Sequence, residues 1–205
     1  MATYQDSRYN IALPSGSGGA LVLIKTLTAS SSGTLSFVNG ASDVVLDNTY
    51  RTYMFKFNNM HPATDSAHFQ FNISVDTGSN YNVAKTTTLF QTRLYESDAN
   101  QQVGYESGSD LAQGTGAQPF TYAGITNAND SSLSGIFQIF NPSSTTFVKH
   151  FISECQYMGN TSSNPVCYRS FTAGYGNTTS AVDAIQFSMS SGNIDSGTIK
   201  LYGIA

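Results

Sequence analysis

The clearest feature of the chain is the alternation of apolar and polar residues along short segments. In residues 68–76, Phe69, Phe71, Ile73 and Val75 point to one side, and polar residues occupy the positions between them. Successive side chains of a β-strand point to opposite faces of the sheet. This alternation therefore predicts a strand with one buried face.

The same pattern recurs along the chain. Just upstream, Tyr53, Phe55 and Phe57 alternate with Met54 and Lys56, which predicts a second strand of the same sandwich. Other short apolar stretches are separated by turn residues such as Gly, Asn and Ser, and none has the spacing of an amphipathic helix. We therefore predict an all-β fold over residues 20–205, a single antiparallel β-sandwich or jelly roll of about ten strands.

Two regions depart from the strand pattern. Residues 1–19 end in the Gly-rich stretch 14–19, which predicts a short N-terminal arm joined to the fold by a flexible linker. Residues 96–119 are predominantly polar and predict a long inserted loop. A loop of this length in a compact domain is usually functional or ordered by a partner, and a mobile surface loop is the alternative.

Composition and charge narrow the classes of function. Of the 205 residues, 40% are hydrophobic and 11% are charged, which excludes a disordered chain and argues against a helical bundle. A formal net charge of −4 offers no basic stripe to nucleic acid. The first residues lack the pattern of a secretion signal, and the longest apolar run, residues 20–24, is too short for a membrane span. We expect a soluble protein made in a cytosol, with neither nucleic acid nor a membrane as partner.

Two segments resemble a known class of protein. Ala20-Leu-Val-Leu-Ile-Lys-Thr-Leu-Thr-Ala-Ser30, which follows the Gly-rich linker, resembles the first strand of small β-sandwich proteins from tailed bacteriophages, marine ones especially. The ending, Ile185-Gln-Phe-Ser-Met-Ser-Ser-Gly-Asn-Ile-Asp-Ser-Gly-Thr-Ile-Lys-Leu-Tyr-Gly-Ile204, is similar to the closing strands of such virion proteins. The resemblance implies a structural virion protein, either a capsid decoration protein or a tail appendage. It implies no catalytic residues.

The ending also has a purely structural interpretation. Asn193 tolerates the positive φ of a tight turn, and Gly197 permits a bulge or a sharp bend. Ile199 and Leu201 would share one face of the last strand. The segment therefore predicts a hairpin that closes the fold.

The residues that carry enzyme chemistry form no recognisable set. The spacing of His61 and His68 matches no compact metal motif, and residues 76–80 resemble a calcium loop only faintly and are better explained as a turn. Four acids in the predicted insertion leave a polysaccharide hydrolase open as an alternative to a solvated face: Glu96, Asp98, Glu106 and Asp110. We predict a protein that is not an enzyme and has no metal, cofactor or catalytic residue.

The two cysteines flank a predicted turn. Residues 159–165 have the composition of a hairpin turn, so the thiols of Cys155 and Cys167 could face each other. A disulfide would form only in an oxidising environment, and two buried thiols are the alternative.

Three functions remain after these considerations. The first is a decoration or cement protein on the outer capsid, a homotrimer that binds the major capsid protein or other virion proteins. Its arm would supply the apolar anchors Tyr4, Tyr9, Ile11 and Leu13. The second is a tail-fibre or receptor-binding protein that recognises host surface glycans. Its candidate residues are Tyr95, Tyr105, Glu106 and Tyr122. The third is the hydrolase. In all three the protein is made in the host cytoplasm and becomes part of the virion.

Overall fold

The structure is a computed structural model that describes residues 21–161 and 164–205. Within these residues the chain forms twelve strands and no helix, arranged in two antiparallel sheets. The predicted all-β sandwich is therefore confirmed, with two strands more than the ten we expected. The N-terminal arm, with Tyr4, Tyr9, Ile11 and Leu13, lies outside the described residues.

One sheet has eight strands and the other has four. The larger sheet contains, from edge to edge, β1 (Leu21–Ser32), β12 (Ile194–Ile204), β3 (Thr52–Pro62), β8 (Leu133–Phe140), β9 (Lys149–Thr161), β10 (Asn164–Gly176), β5 (Lys85–Tyr95) and β6 (Gln101–Tyr105). The smaller sheet contains, in spatial order, β2 (Thr34–Val38), β11 (Ala184–Met189), β4 (Phe69–Ser74) and β7 (Gln118–Pro119). Every pair of neighbouring strands is antiparallel.

The core between the sheets is built largely from phenylalanine. Phe55 and Phe57 of β3 face Phe69 and Phe71 of β4, and all four side chains are buried, as their alternation predicts. Phe187 of β11 lies at the centre of this group. The rings meet edge-on, tilted or offset-stacked, which are the favourable geometries for aromatic pairs.

Residues 96–119 are not the continuous loop that the sequence predicts. Gln101–Tyr105 forms the edge strand β6, paired with β5, and Gln118–Pro119 forms β7, paired with β4. The prediction was wrong because β6 exposes both of its faces, so it carries none of the alternation that marks a half-buried strand.

The closing segment is also not a hairpin. β11 pairs with β2 and β4 in the smaller sheet, whereas β12 pairs with β1 and β3 in the larger one. The turn between them therefore carries the chain from one sheet to the other. The prediction that Ile199 and Leu201 share one face of the last strand is confirmed, because both are buried. A turn motif shows that the chain reverses, but it does not show which sheet the next strand joins.

Candidate functional site

Opposite residues form a continuous row across the outer face of the eight-stranded sheet. Each strand contributes one residue, and each residue is the register partner of the next. From β1 to β6 the row consists of Thr26, Lys200, Lys56, Ile136, Glu154, Phe171, Phe90 and Tyr105. The half of the row nearest β1 carries two lysines, whereas the half nearest β6 ends in three aromatic residues. The two halves of this face therefore offer different chemistry to a partner.

The aromatic half contains a ridge made of Phe90 and Phe171. Their rings stack at a centroid distance of 4.8 Å and an interplanar angle of 12°. The Arg169 guanidinium lies 4.9 Å from the centroid of the Phe171 ring and forms an ion pair with Glu154. Because the two rings cover each other's faces, the ridge presents ring edges to a partner and no wide flat platform.

A shallow groove of about 300 Å³ lies beside this ridge, and we call it the outer groove. Ala173 lies between Thr88 and Ile152 on the two neighbouring strands. The lining of the outer groove includes these three residues, the two ridge residues and Ile136. Its only charged lining residue is Glu154, which is already paired with Arg169. The outer groove therefore suits an uncharged, apolar group.

Polarity is reversed locally, around the outer groove, whereas Leu89, Phe151 and Val166 of the same strands are buried in the usual way. An antiparallel sheet with one face in water usually turns its polar residues outward and its apolar residues inward. Here the outward residues Phe90 and Ile152 are 44% and 47% exposed. The inward residues of β5, β9 and β10 include polar side chains that are buried: Thr87, Gln91, Ser153, Ser170 and Thr172.

Two of these buried polar side chains, Thr87 and Ser170, hold the segment that covers the inner face. The Thr87 hydroxyl donates to Gln118 Oε1 at 2.6 Å, and the Gln118 amide donates to the Ser109 carbonyl at 2.9 Å. The Ser170 hydroxyl donates to the Phe120 carbonyl. Part of the predicted insertion thus fills the interior, and Phe90, Ile152 and Phe171 are left on the outside. Neighbouring exposed apolar residues that line a groove are typical of an interaction surface.

The predicted glycan-binding residues divide between two places. Tyr105 and Glu106 are neighbours at the end of β6. The Tyr105 hydroxyl donates to the Asp110 carboxylate, and this hydrogen bond raises the pKa of the tyrosine. Glu106 accepts a hydrogen bond of 3.0 Å from the Gln91 amide.

Tyr95 and Tyr122 lie away from that pair. Tyr95 is the last residue of β5 and packs against the core. The centroid of its ring lies 5.8 Å from Cζ of the Arg93 guanidinium. The Tyr122 backbone N–H donates to the Tyr157 hydroxyl at 3.0 Å. The structure therefore brings Tyr105 and Glu106 together but does not join Tyr95 and Tyr122 to them.

The histidines considered as metal ligands bond to oxygen atoms of the chain. His61, which lies within β3, is 3.0 Å from the Pro62 carbonyl, and His68 is 2.9 Å from the Thr121 hydroxyl. In the part of the chain that the structure describes, no three or more His, Cys, Asp or Glu side chains are grouped so that they could hold a metal ion. Across residues 21–161 and 164–205, no helix has the length and apolarity that crossing a membrane requires.

Residues 155 and 167 lie on the predicted β9–β10 hairpin, but their thiols do not face each other. Cys155 is opposite Ser170, and Cys167 is opposite Met158, so the two cysteines are out of register. Cys155 is buried, Cys167 is exposed, and both are free thiols. The two predicted arrangements were therefore both wrong, since there is neither a bridge nor a pair of buried thiols. Burial raises the pKa of the Cys155 thiol to about 12, which keeps it protonated.

Two buried lysines escaped the sequence analysis. Lys85 and Lys149 lie on either side of Gly176, and both side chains are inaccessible to solvent. The Lys85 ammonium donates to Asn72 Oδ1 at 2.6 Å, and burial lowers its pKa to about 8. The Lys149 ammonium donates to the Phe147 carbonyl, and burial lowers its pKa as well. Sequence alone gave no signal, because lysine is rarely buried without an acidic partner.

The low pKa of Lys85 makes stability depend on pH. The folded state holds this proton less tightly than the unfolded state, so the free energy of unfolding rises with pH between pH 8 and 10.5. We expect a gain of about 1.5 kcal/mol from this group between pH 8 and 9.5. Urea unfolding of the wild type and of Lys85→Met across this range measures the effect. The gain in the free energy of unfolding between pH 8 and 9.5 should be smaller by that amount in Lys85→Met than in the wild type, and equal gains would show that Lys85 titrates normally.

Comparison of the chain with protein-family models, with curated proteins and with solved structures finds no match.

Proposed function

We propose that this chain is a structural protein of a tailed-phage particle, a decoration protein that attaches to the outer surface of the capsid through the outer groove and the adjoining Phe90–Phe171 ridge. The single observation that carries the proposal is the local reversal of polarity around the outer groove, where Phe90 and Ile152 are exposed. The similarity of residues 20–30 and 185–204 to phage virion proteins supports the choice of partner.

The chemistry of the face favours attachment by apolar burial. An aliphatic or aromatic side chain of a capsid subunit would enter the outer groove between Ile152 and Phe90 and rest on Ala173. Full burial of one such side chain contributes about 1.5–3 kcal/mol. A few anchors of this size give modest affinity for one copy, and an oligomer that binds several capsid subunits at once gains avidity.

The partners of this attachment are the major capsid protein or other virion proteins, and we propose that the protein acts as a trimer. Residues 1–19 would add a second contact in this scheme. The anchors of this N-terminal arm would be the four residues that the sequence predicts, Tyr4, Tyr9, Ile11 and Leu13.

One observation favours a second function, the recognition of host surface glycans by a tail protein. The Tyr105 ring is 57% exposed and lies beside Glu106 and Asp110. An exposed aromatic ring next to carboxylates is a common arrangement for binding sugars, in which the ring packs on the sugar and the acids accept its hydroxyl groups. This site is smaller than the outer groove and consists of one ring only.

Rebinding of the purified protein to particles that lack it tests the proposal. Particles made without the gene should bind the protein and carry it to the bottom of a density gradient. Because the contact is apolar, binding should persist in 0.5 M salt. Protein that stays at the top of the gradient would contradict the proposal. Binding to host cells that Tyr105→Ala abolishes would instead support the glycan function.

A further inference from the structure

β6 forms an open edge of the eight-stranded sheet. The Tyr95 N–H donates to the Asn100 carbonyl at 3.2 Å, and the Glu106 N–H donates to the Leu89 carbonyl at 2.9 Å. Residues that bond to the neighbouring strand alternate with residues that face away from it. The backbone N–H and C=O groups that face away from β5 therefore belong to Gln101, Val103 and Tyr105. Among the described residues these groups bond to no other part of the backbone.

This edge lacks the features that usually keep a strand from pairing with another chain. Natural edges carry lysine, proline or a bulge. β1, at the opposite edge, has Lys25 and a register shift beside it, and β7, at an edge of the smaller sheet, is two residues long and contains Pro119. β6 has the sequence Gln-Gln-Val-Gly-Tyr, without a charge, a proline or a register shift in its pairing. Its central residue, Val103, is 75% exposed.

Acidic residues flank β6 on both sides. They are Glu96 and Asp98 before the strand, and Glu106 and Asp110 after it. None of the four forms an ion pair within the described residues. The ends of the edge are therefore negatively charged, and a partner strand with Lys or Arg at its ends would complement them.

We propose that β6 binds an extended segment of another protein by β-strand addition, and that this segment carries Lys or Arg on both sides of an uncharged centre. The segment would exchange backbone hydrogen bonds with Gln101, Val103 and Tyr105 and become the ninth strand of the sheet. A second copy of this chain does not fit, because antiparallel pairing of two β6 strands would bring the acids of one copy beside those of the other. The inference does not depend on the proposed function, since it uses the sheet edge and not the outer groove.

A pair of synthetic peptides tests the proposal. The first has alternating threonine and valine at its five central positions and two lysines at each end, and the second replaces every lysine with glutamate. Amide hydrogen exchange of the full chain, measured by NMR, should slow at Val103 and Tyr105 when the lysine peptide is present. The glutamate peptide should bind about tenfold or more weakly. Equal protection by both peptides, or none by either, would overturn the proposal.

A matched pair of variants shows whether the backbone of β6 makes the contact. Val103→Pro removes an N–H that the fold does not use, so this edge position should tolerate it. It should weaken binding of the lysine peptide about tenfold, because one hydrogen bond is lost and the ring obstructs the edge. Val103→Thr keeps the N–H and should bind like the wild type. A well-folded Val103→Pro protein that binds with unchanged affinity would refute strand addition, whatever the outcome of the capsid experiment.

Discussion

Replacing Phe187 with alanine is expected to lower the free energy of unfolding by about 4 kcal/mol. The Phe187 ring is fully buried, and its centroid lies between 5.2 and 6.3 Å from those of its aromatic neighbours. These neighbours come from both sheets: Phe37, Phe55, Phe57, Phe69, Phe120 and Phe137. The substitution removes the ring that joins the two halves of the core and leaves a cavity that stiff β-strands cannot close.

Urea unfolding followed by circular dichroism measures this effect. Phe187→Leu fills most of the space and should cost less than half as much as alanine. Phe147→Ala, at a ring that is largely exposed, should change stability by less than about 0.5 kcal/mol. A loss below about 1 kcal/mol for Phe187→Ala would mean that Phe187 is not at the centre of the core.

Replacing Ile152 with lysine is expected to weaken attachment to the particle about a hundredfold or more. Ile152 lines the outer groove, and an apolar partner would have to bury the new ammonium group without a counter-ion. Because Ile152 is about half exposed in the free protein, the fold should be unaffected. The density-gradient rebinding experiment measures the loss.

Thr26→Lys is the matched control for this variant. Thr26 is exposed on the same outer face, but it lies on β1 at the far edge of the sheet from the aromatic half. It introduces the same charge and should bind like the wild type. An equal loss in both variants would indicate a general effect of charge, and normal binding by Ile152→Lys would show that the outer groove is not the attachment site.

Much of the fold can be predicted from local alternation, because a strand with one buried face carries its orientation in its own sequence. Phe69, Phe71 and Ile73 are buried as predicted. β6 was missed because nothing covers either of its faces, so its identity depends on pairing with β5. Pairing between strands is a long-range property, which also explains why the prediction of a hairpin at the β11–β12 turn is wrong.

The candidate site could not be predicted for a related reason. In β10 the buried side chains include Ser170 and Thr172, and the outward ones include Phe171 and Ala173. The first part of the strand, with Val166 buried and Arg169 exposed, follows the usual pattern, but placing apolar residues inside predicts the wrong orientation for residues 170–173. The correct orientation depends on residues 109–120, which supply polar partners to the inner face from elsewhere in the chain.

Electron microscopy of intact particles with gold-labelled antibody against the purified protein tests the central claim most directly. The particles are those produced by the genome that encodes this chain. A decoration protein attached through the outer groove predicts label over the whole surface of the head. Label confined to the tail tip would contradict that function and favour glycan recognition through Tyr105, and particles without label would contradict a role in the virion.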